Sequence, residues 1–310
     1  MLRVFAIGFV FCAAVVCAES PFPAELEYLN QFASSEDAMV TGVRQYHVLQ
    51  QAMADWDVDI AESLAGQGEK EDASDRMKQR QQRFELIEKA YNVLLGHYPH
   101  NARAQNYYGE FLYDCKGDQM GAIKAWKIAI AEDSKLSLPY NNLGIHYCHR
   151  GDIALGLEYQ RKAVDLDPDN PDYKYNLAQT YLINWPEVQK ELKWDKKKVF
   201  FEAMKLSRRA AELKPDDYEL LEDYAVNFFA ADRFEVEPNW NDAAKAWEQA
   251  RAKARRTDQV FYTWLNEARV RIRQPEYEQA MICLDEALKL EPTSDVAKKL
   301  KREVEAKLAQ

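Results

Sequence analysis

Apolar residues recur at three- and four-residue steps along most of the chain, which is the period of amphipathic helices. The first long run follows Ser35. Its apolar stripe consists of Val40, Val43, Tyr46, Leu49, Met53, Trp56 and Ile60. A second run follows a glycine-containing turn and ends near Gly96. The pattern predicts an elongated helical hairpin over residues 35–98, preceded by a short helix over residues 21–32.

The most regular part of the pattern lies in residues 137–170. Two helices of similar length are predicted there, joined by a short turn and closed by a proline that cannot continue a helix. The residues that mark this unit are, in chain order, Leu143, Gly144, Tyr147, Gly151, Asp152, Ala163 and Pro168. In identity and spacing they resemble the tetratricopeptide repeat (TPR), a helix–turn–helix unit of about 34 residues.

Similar units begin near Ala102, Pro171, Tyr218 and Phe261. The third and fourth depart from the family pattern because residues 183–201 and 231–241 are inserted between their two helices. The resemblance implies an all-α, right-handed superhelical solenoid, which we expect to form one domain. We expect a signal peptide over 1–18, an N-terminal helical hairpin or cap over 19–100, about five repeats over 101–293 and a C-terminal capping helix over 294–310.

Residues 1–18 have the features of a secretory signal peptide. Arg3 is followed by an apolar run from Val4 to Val16 and by a small-residue cleavage site ending at Ala18. We therefore expect an exported protein, periplasmic or secreted. Two alternatives stay open: a lipid anchor through Cys17 and a retained N-terminal anchor.

Composition limits the classes of partner. The chain has 310 residues, is 47% hydrophobic and carries a formal net charge of -10. This acidity argues against nucleic acid or an anionic membrane surface as the main partner. Cleavage after Ala18 would leave Cys115, Cys148 and Cys283, too few for a disulfide framework. Whether Cys115 and Cys148 form a single bridge is left open by the sequence.

The resemblance also implies a binding surface. In TPR proteins the first helix of each repeat lines the concave groove, and fixed positions of that helix face a bound peptide. Asn142 and Asn176 occupy the position where an amide often bonds the peptide backbone, since an amide is both donor and acceptor. The positions carried over are Arg103, Asn106, Tyr107, Glu110, Asn141, Asn142, Ile145, His149, Tyr175, Asn176 and Gln179. The expected function is a non-enzymatic scaffold for a protein or peptide partner.

The insertions support a second hypothesis. They contain Trp185 and Trp240, and tryptophan is enriched at interfaces. Because the two insertions fall at equivalent turns of consecutive repeats, we expect them to lie side by side. They would then form a site for a small ligand or glycan, unless both rings only pack onto the solenoid.

No catalytic or cofactor motif appears in the sequence. Phosphate-binding glycine loops, dinucleotide fingerprints, serine-hydrolase elbows and zinc-protease helices are all absent. The pairs His97/His100 and His146/His149 lack an obvious third ligand for zinc. We expect no enzymatic activity, no cofactor and no metal. The identity of the partner and the oligomeric state do not follow from the sequence.

Overall fold

The structure, a computed structural model, describes residues 22–310. Within this range every regular element is a helix, so the all-α prediction is confirmed. The predicted signal peptide and Cys17 lie outside the described residues. Among the described helices, none is both long and apolar enough to cross a membrane. The chain divides into two compact units, with the boundary between Glu132 and Asp133.

Unit 1 contains a long helical hairpin followed by one shorter helix pair. A 3₁₀ helix, Ala24–Phe32, precedes them. The α-helices are α1 (Glu36–Gly66), α2 (Lys70–His97), α3 (Ala102–Asp114) and α4 (Gln119–Glu132). Ser35 begins α1 as its N-cap, because its Oγ accepts a hydrogen bond from the Ala38 N–H at 3.2 Å. In unit 1, α1 packs on α2, and α3 packs on α4.

The apolar stripe of α1 is buried only in its first half. Val40 and Val43 are fully covered, whereas Leu49 and Trp56 are 55% and 63% exposed. In the second half α1 packs on α2 through Ala54 and Ala61 and through the buried Asp57. The Asp57 carboxylate accepts a hydrogen bond from Arg83 Nε at 2.8 Å. A buried carboxylate needs such a partner, since an unpaired charge would be costly to desolvate.

Unit 2 contains eleven α-helices. They are α5 (Leu138–His149), α6 (Ile153–Leu166), α7 (Pro171–Ile183), α8 (Trp185–Leu192), α9 (Lys196–Leu213), α10 (Tyr218–Asn227), α11 (Ala231–Phe234), α12 (Trp240–Lys253), α13 (Thr257–Arg273), α14 (Tyr277–Leu290) and α15 (Asp295–Leu308). We call the first and second helix of each repeat its A and B helices. In unit 2 the A/B pairs are α5/α6, α7/α9, α10/α12 and α13/α14, and α15 packs on α14. Ser294 caps α15 through a hydrogen bond from the Ala297 N–H at 3.4 Å.

Gly144 permits the close contact of α5 with α6 that the sequence predicts. A Cβ atom at this position would lie 2.5 Å from Gln160 Cγ and 2.9 Å from the Gln160 backbone nitrogen. The turn that follows α5 contains Gly151 with φ +84°, a left-handed conformation that glycine adopts without strain. These two glycines set the geometry of the repeat.

The two insertions lie side by side, as predicted. The first contains α8 and the start of α9, and the second contains α11, the segment that follows it and the start of α12. The Trp185 and Phe234 rings meet edge to face with their centroids 5.9 Å apart. Lys196 Nζ lies 2.7 Å from the Glu235 carboxylate. The insertions therefore form one shared apolar cluster closed by an ion pair.

Candidate functional site

Three equivalent side chains mark the A helices of unit 2. Asn142 on α5, Asn176 on α7 and Asp223 on α10 each occupy the sixth position of their repeat. All three are partly accessible to solvent. We call the surface that they define the A-helix face of unit 2.

Side-chain hydrogen bonds connect neighbouring A helices along this face. The Asn176 amide donates to Asn141 Oδ1 at 3.1 Å, which joins α7 to α5. The Gln179 amide donates to Asp223 Oδ1 at 2.5 Å, which joins α7 to α10. Such bonds hold side chains in fixed orientations, and each amide retains further donor and acceptor capacity. The face is therefore a preorganised row of polar groups.

Within residues 22–310, no Lys or Arg forms an ion pair with Asp223. Its second oxygen accepts hydrogen bonds from Ser207 at 3.0 Å and from the Asn227 amide at 2.9 Å. Burial raises the pKa of Asp223 to about 6, although these hydrogen bonds act in the opposite direction. We did not predict Asp223 from the sequence. Its position in the repeat, equivalent to Asn142 and Asn176, is the signal that identifies it.

The other predicted residues of this face differ in accessibility. Asn141 is 6% exposed, so its role is to accept the hydrogen bond that orients the Asn176 amide. Tyr175 is 36% exposed. Burial, together with the nearby carboxylates of Asp223 and Glu219, raises the pKa of its hydroxyl. Ile145 is half-buried and His149 lies exposed at the end of α5. The structure brings together Asn141, Asn176 and Gln179. His149 lies at the edge of the A-helix face, at the C-terminal end of α5.

The predicted residues of unit 1 form a separate polar cluster with α1. Glu110 on α3 forms an ion pair with Arg44 at 2.7 Å and accepts a hydrogen bond from the Asn106 amide at 2.8 Å. The Arg44 guanidinium also lies over the Tyr107 ring, 4.7 Å from its centroid. Arg103 pairs with Asp37 at 2.6 Å.

Arg44 lies on α1 before the first repeat, so the carried-over positions did not include it. Asn106 is only 1% exposed and contributes structure rather than contact surface. The accessible part of this cluster is therefore formed mainly by Arg103 and the partly covered Tyr107.

Both insertion tryptophans are covered by groups of the chain itself. Lys196 Nζ lies 4.8 Å from the centroid of the Trp185 ring. Trp240 is 6% exposed, its Nε1 donates to Glu237, and the Arg273 guanidinium lies 4.8 Å from its ring centroid. Cations over aromatic faces are stabilising contacts. These contacts give the rings a packing role within the repeats.

The thiols and the metal-ligating residues do not form a reactive site in the described part of the chain. Cys115, Cys148 and Cys283 are free thiols. Burial raises the pKa of Cys115 to about 11 and that of Cys283 to about 12, which keeps both protonated near neutral pH. No three His, Cys, Asp or Glu side chains within residues 22–310 lie close enough together to hold a metal ion.

Consecutive helix pairs packed through small residues define a helical-repeat protein of the solenoid class. Comparison with solved structures specifies the fold. The C-terminal part of a TPR repeat-containing protein from Cytophaga hutchinsonii matches with a TM-score of 0.54 and 18% identity, covering 83% of this chain and 98% of that one. The chain therefore has the tetratricopeptide-repeat fold.

Two further structures have the same fold. YrrB, described as a TPR protein with an unusual peptide-binding site, has a TM-score of 0.52 and 16% identity over 69% of this chain and 98% of its own. PilF from Pseudomonas aeruginosa has a TM-score of 0.50 and 13% identity over 82% of this chain and 99% of its own. No protein-family model matches the sequence, and no curated protein sequence matches it.

Proposed function

We propose that this protein is a non-enzymatic scaffold that binds a peptide segment of a partner protein along the A-helix face of unit 2. The observation that carries the proposal is the row formed by Asn142, Asn176 and Asp223 in three successive repeats. An amide can donate to and accept from a peptide backbone, and a carboxylate can accept from its N–H groups, so this row offers partners to an extended peptide. Side chains that hydrogen bonds already hold in place lose less conformational entropy when a peptide binds.

The likeness in fold to YrrB, described as having a peptide-binding site, is consistent with this proposal. The second hypothesis, a small-ligand or glycan site on the insertions, has less support because Trp185 and Trp240 are already covered by Lys196 and Arg273. A ligand would have to displace these cations to stack on either ring.

Affinity capture from an exported-protein fraction tests the proposal. The bait is the chain without residues 1–18, beside the double variant Asn142→Ala/Asn176→Ala and a control with the exposed Lys162→Ala on α6. We expect a partner that the wild type and the control retain and the double variant loses. A synthetic peptide from that partner should then bind the wild type directly. Equal retention by all three baits would contradict the A-helix face as the site.

We further propose that the protein acts after export and removal of residues 1–18. N-terminal sequencing and intact mass of the protein from its native source test this directly. A first residue of Glu19 would support cleavage after Ala18. An intact Met1, or a lipid-modified Cys17 at the N-terminus, would instead support one of the two anchored forms.

A further inference from the structure

One oxygen of the Asp223 carboxylate belongs to a buried network on the A-helix face. Asp223 Oδ2 accepts hydrogen bonds from Ser207 of α9 at 3.0 Å and from the Asn227 amide of α10 at 2.9 Å. Ser207 is 1% exposed and Asn227 is 6% exposed, and the Asn227 amide also donates to Ser207 Oγ at 3.1 Å. Neither donor can turn away from Oδ2 without disturbing the other, so this side of the carboxylate is fixed.

The other oxygen has a single partner, which lies nearer the surface. Asp223 Oδ1 accepts a hydrogen bond from the Gln179 amide of α7 at 2.5 Å. Gln179 is only half-buried, and its carbonyl oxygen forms no hydrogen bond within residues 22–310. A carboxylate can only accept, so Gln179 has to turn its NH2 group towards Asp223. Its carbonyl oxygen is thereby left available to a ligand on the A-helix face.

A proton on Asp223 would reverse this arrangement. The proton fits on Oδ1, because Ser207 and Asn227 already direct their own hydrogens at Oδ2. An O–H group at Oδ1 needs an acceptor, and the Gln179 amide supplies its carbonyl oxygen when it turns over. The NH2 group of Gln179 then takes the place of the carbonyl oxygen on the face. Burial raises the pKa of Asp223 to about 6, so the change falls just below neutral pH.

Few ionisable groups of α10 and α7 act on this carboxylate. Glu222, on α10 itself, helps to raise the Asp223 pKa through its charge. Glu219 lies one turn earlier on α10 and acts on Glu222 and on Tyr175 of α7. The pKa of the Tyr175 hydroxyl is raised, so that group stays neutral in this pH range. Glu222 is therefore the one described charge that shifts the pKa of Asp223.

The helices α9 and α12 do not add a charge at this point. The α9 group in contact with Asp223 is the neutral Ser207 hydroxyl. The charged side chains of α9 and α12 near α10 act instead on the pKa of Tyr224, and they are Arg208, Glu212 and Asp242. The protonation state at this position of the A-helix face therefore depends on Asp223, with Glu222 as its modifier.

We propose that Asp223 and Gln179 form a pH-controlled switch on the A-helix face, which offers the Gln179 carbonyl oxygen to a bound peptide at neutral pH and the Gln179 NH2 group in mild acid. This inference rests on the proposed peptide site. At neutral pH the Asn176 amide, which donates to Asn141, also has its carbonyl oxygen available. Both acceptors suit the N–H groups of a peptide. In acid one of them becomes a donor that faces a donor, so binding weakens.

NMR of the protein labelled with ¹⁵N-glutamine tests the switch without a ligand. Gln179→Met identifies the NH2 signals of Gln179 by their loss. We expect these signals to move with a midpoint near pH 6 in the wild type, where Asp223 gains its proton. They should keep the wild-type acid position at every pH in Asp223→Asn, whose own NH2 group imitates the protonated acid.

Glu222→Gln is the matched control for the NMR measurement. It removes a neighbouring carboxylate but leaves Asp223 and Gln179 in place, so the response should persist with a lower midpoint. Circular dichroism verifies that each variant is folded. The proposal is overturned if the Gln179 signals of the wild type do not move between about pH 5 and pH 8, or if they move equally in Asp223→Asn.

Fluorescence anisotropy with a labelled peptide from the captured partner measures the effect on binding. We expect the wild type and Glu222→Gln to bind about fivefold more weakly at pH 5 than at pH 7.5, as for the loss of one hydrogen bond. Asp223→Asn should bind at the weaker level at both values. Equal wild-type affinity at both values overturns the switch as a control of binding. If no peptide binds at either pH while the Gln179 signals move as expected, the proposed peptide site fails and the switch is supported.

Discussion

Asp223 has a carboxylate surrounded by neutral hydrogen-bond donors. Gln179, Ser207 and Asn227 satisfy its oxygens, and no Lys or Arg in the described part of the chain forms an ion pair with it. Its pKa therefore rises from an ordinary value of 3.8 to about 6 in the folded chain. The folded state then binds more protons than the unfolded state between these two values, so ionisation of this group lowers stability as the pH rises through that window.

We therefore predict that Asp223→Asn is more stable than the wild type at pH 7 by about 1–2 kcal/mol. The gain should decrease as the pH falls below 6 and vanish only below about pH 3, where the wild-type carboxyl group is protonated in both the folded and the unfolded state. Urea unfolding of both proteins across this pH range measures the difference. A constant difference at every pH would show that Asp223 does not titrate as described.

Gly144 gives a second prediction at the residue scale. In Gly144→Ala the new methyl group would meet the backbone nitrogen of Gln160 at 2.9 Å, so α6 would have to shift away from α5. We expect a loss of about 1–3 kcal/mol in the free energy of unfolding. The control is Gly96→Ala in α2, where the added Cβ has no atom within 4 Å. That change should be neutral or stabilising by up to about 1 kcal/mol. Equal effects at both sites would contradict the close contact.

Single residues also mark where sequence reasoning succeeds and where it fails. Gly144, the turn at Gly151 and the cap at Ser294 were predictable because each acts through local backbone geometry or close packing that a repeat pattern encodes. Asp223 could be located from its repeat position, but its hydrogen bonds could not, because Gln179 and Ser207 come from two other helices. Such a contact appears only once the repeats are stacked.

At the scale of elements, the insertions behave as a structural cluster. Phe234 is fully buried between Trp185 and Phe200, and Arg273 forms an ion pair with Asp232 while covering Trp240. The sequence predicted their adjacency, because equivalent turns of consecutive repeats lie next to each other. It could not predict which rings are covered, because Lys196 and Arg273 reach the rings only once the helices are packed, and Arg273 lies on the later helix α13.

We predict that Phe234→Ala lowers the stability of unit 2 by about 3–5 kcal/mol, as expected when a large buried aromatic side chain is removed. Phe201→Ala is the matched control, because this ring is 53% exposed and its loss should cost well below about 1 kcal/mol. Thermal unfolding followed by circular dichroism measures both. Similar melting temperatures for the two variants would mean that the insertions do not form a packed cluster.

The long hairpin is an element for which periodicity alone misleads. Leu49 and Trp56 continue the apolar stripe of Val40 and Val43 along α1, yet they remain exposed. The second half of α1 instead packs on α2 through small residues and the ion pair between Asp57 and Arg83. Periodicity identifies an apolar side of a helix, but it does not say whether a neighbour extends far enough to cover it.

At the scale of the whole molecule, the repeat register determined the all-α fold class from the sequence. Every repeat reuses the same small residues at the contact between its two helices, so one recognisable unit predicts the others. The division into two units after Glu132 had no signal of this kind. Function depends on side chains that differ between repeats. The repeat pattern does not specify the residues at these positions.

The central claim is that a partner peptide lies on the A-helix face of unit 2, and site-specific photocrosslinking tests it most directly. A photoreactive phenylalanine analogue replaces Tyr175 on α7, which is 36% exposed, or Ile282 on the B helix α14, which is 59% exposed. Both positions accept a large side chain at the surface. We predict crosslinks to the captured partner from position 175 and none from position 282. Crosslinks from position 282 alone would contradict the account.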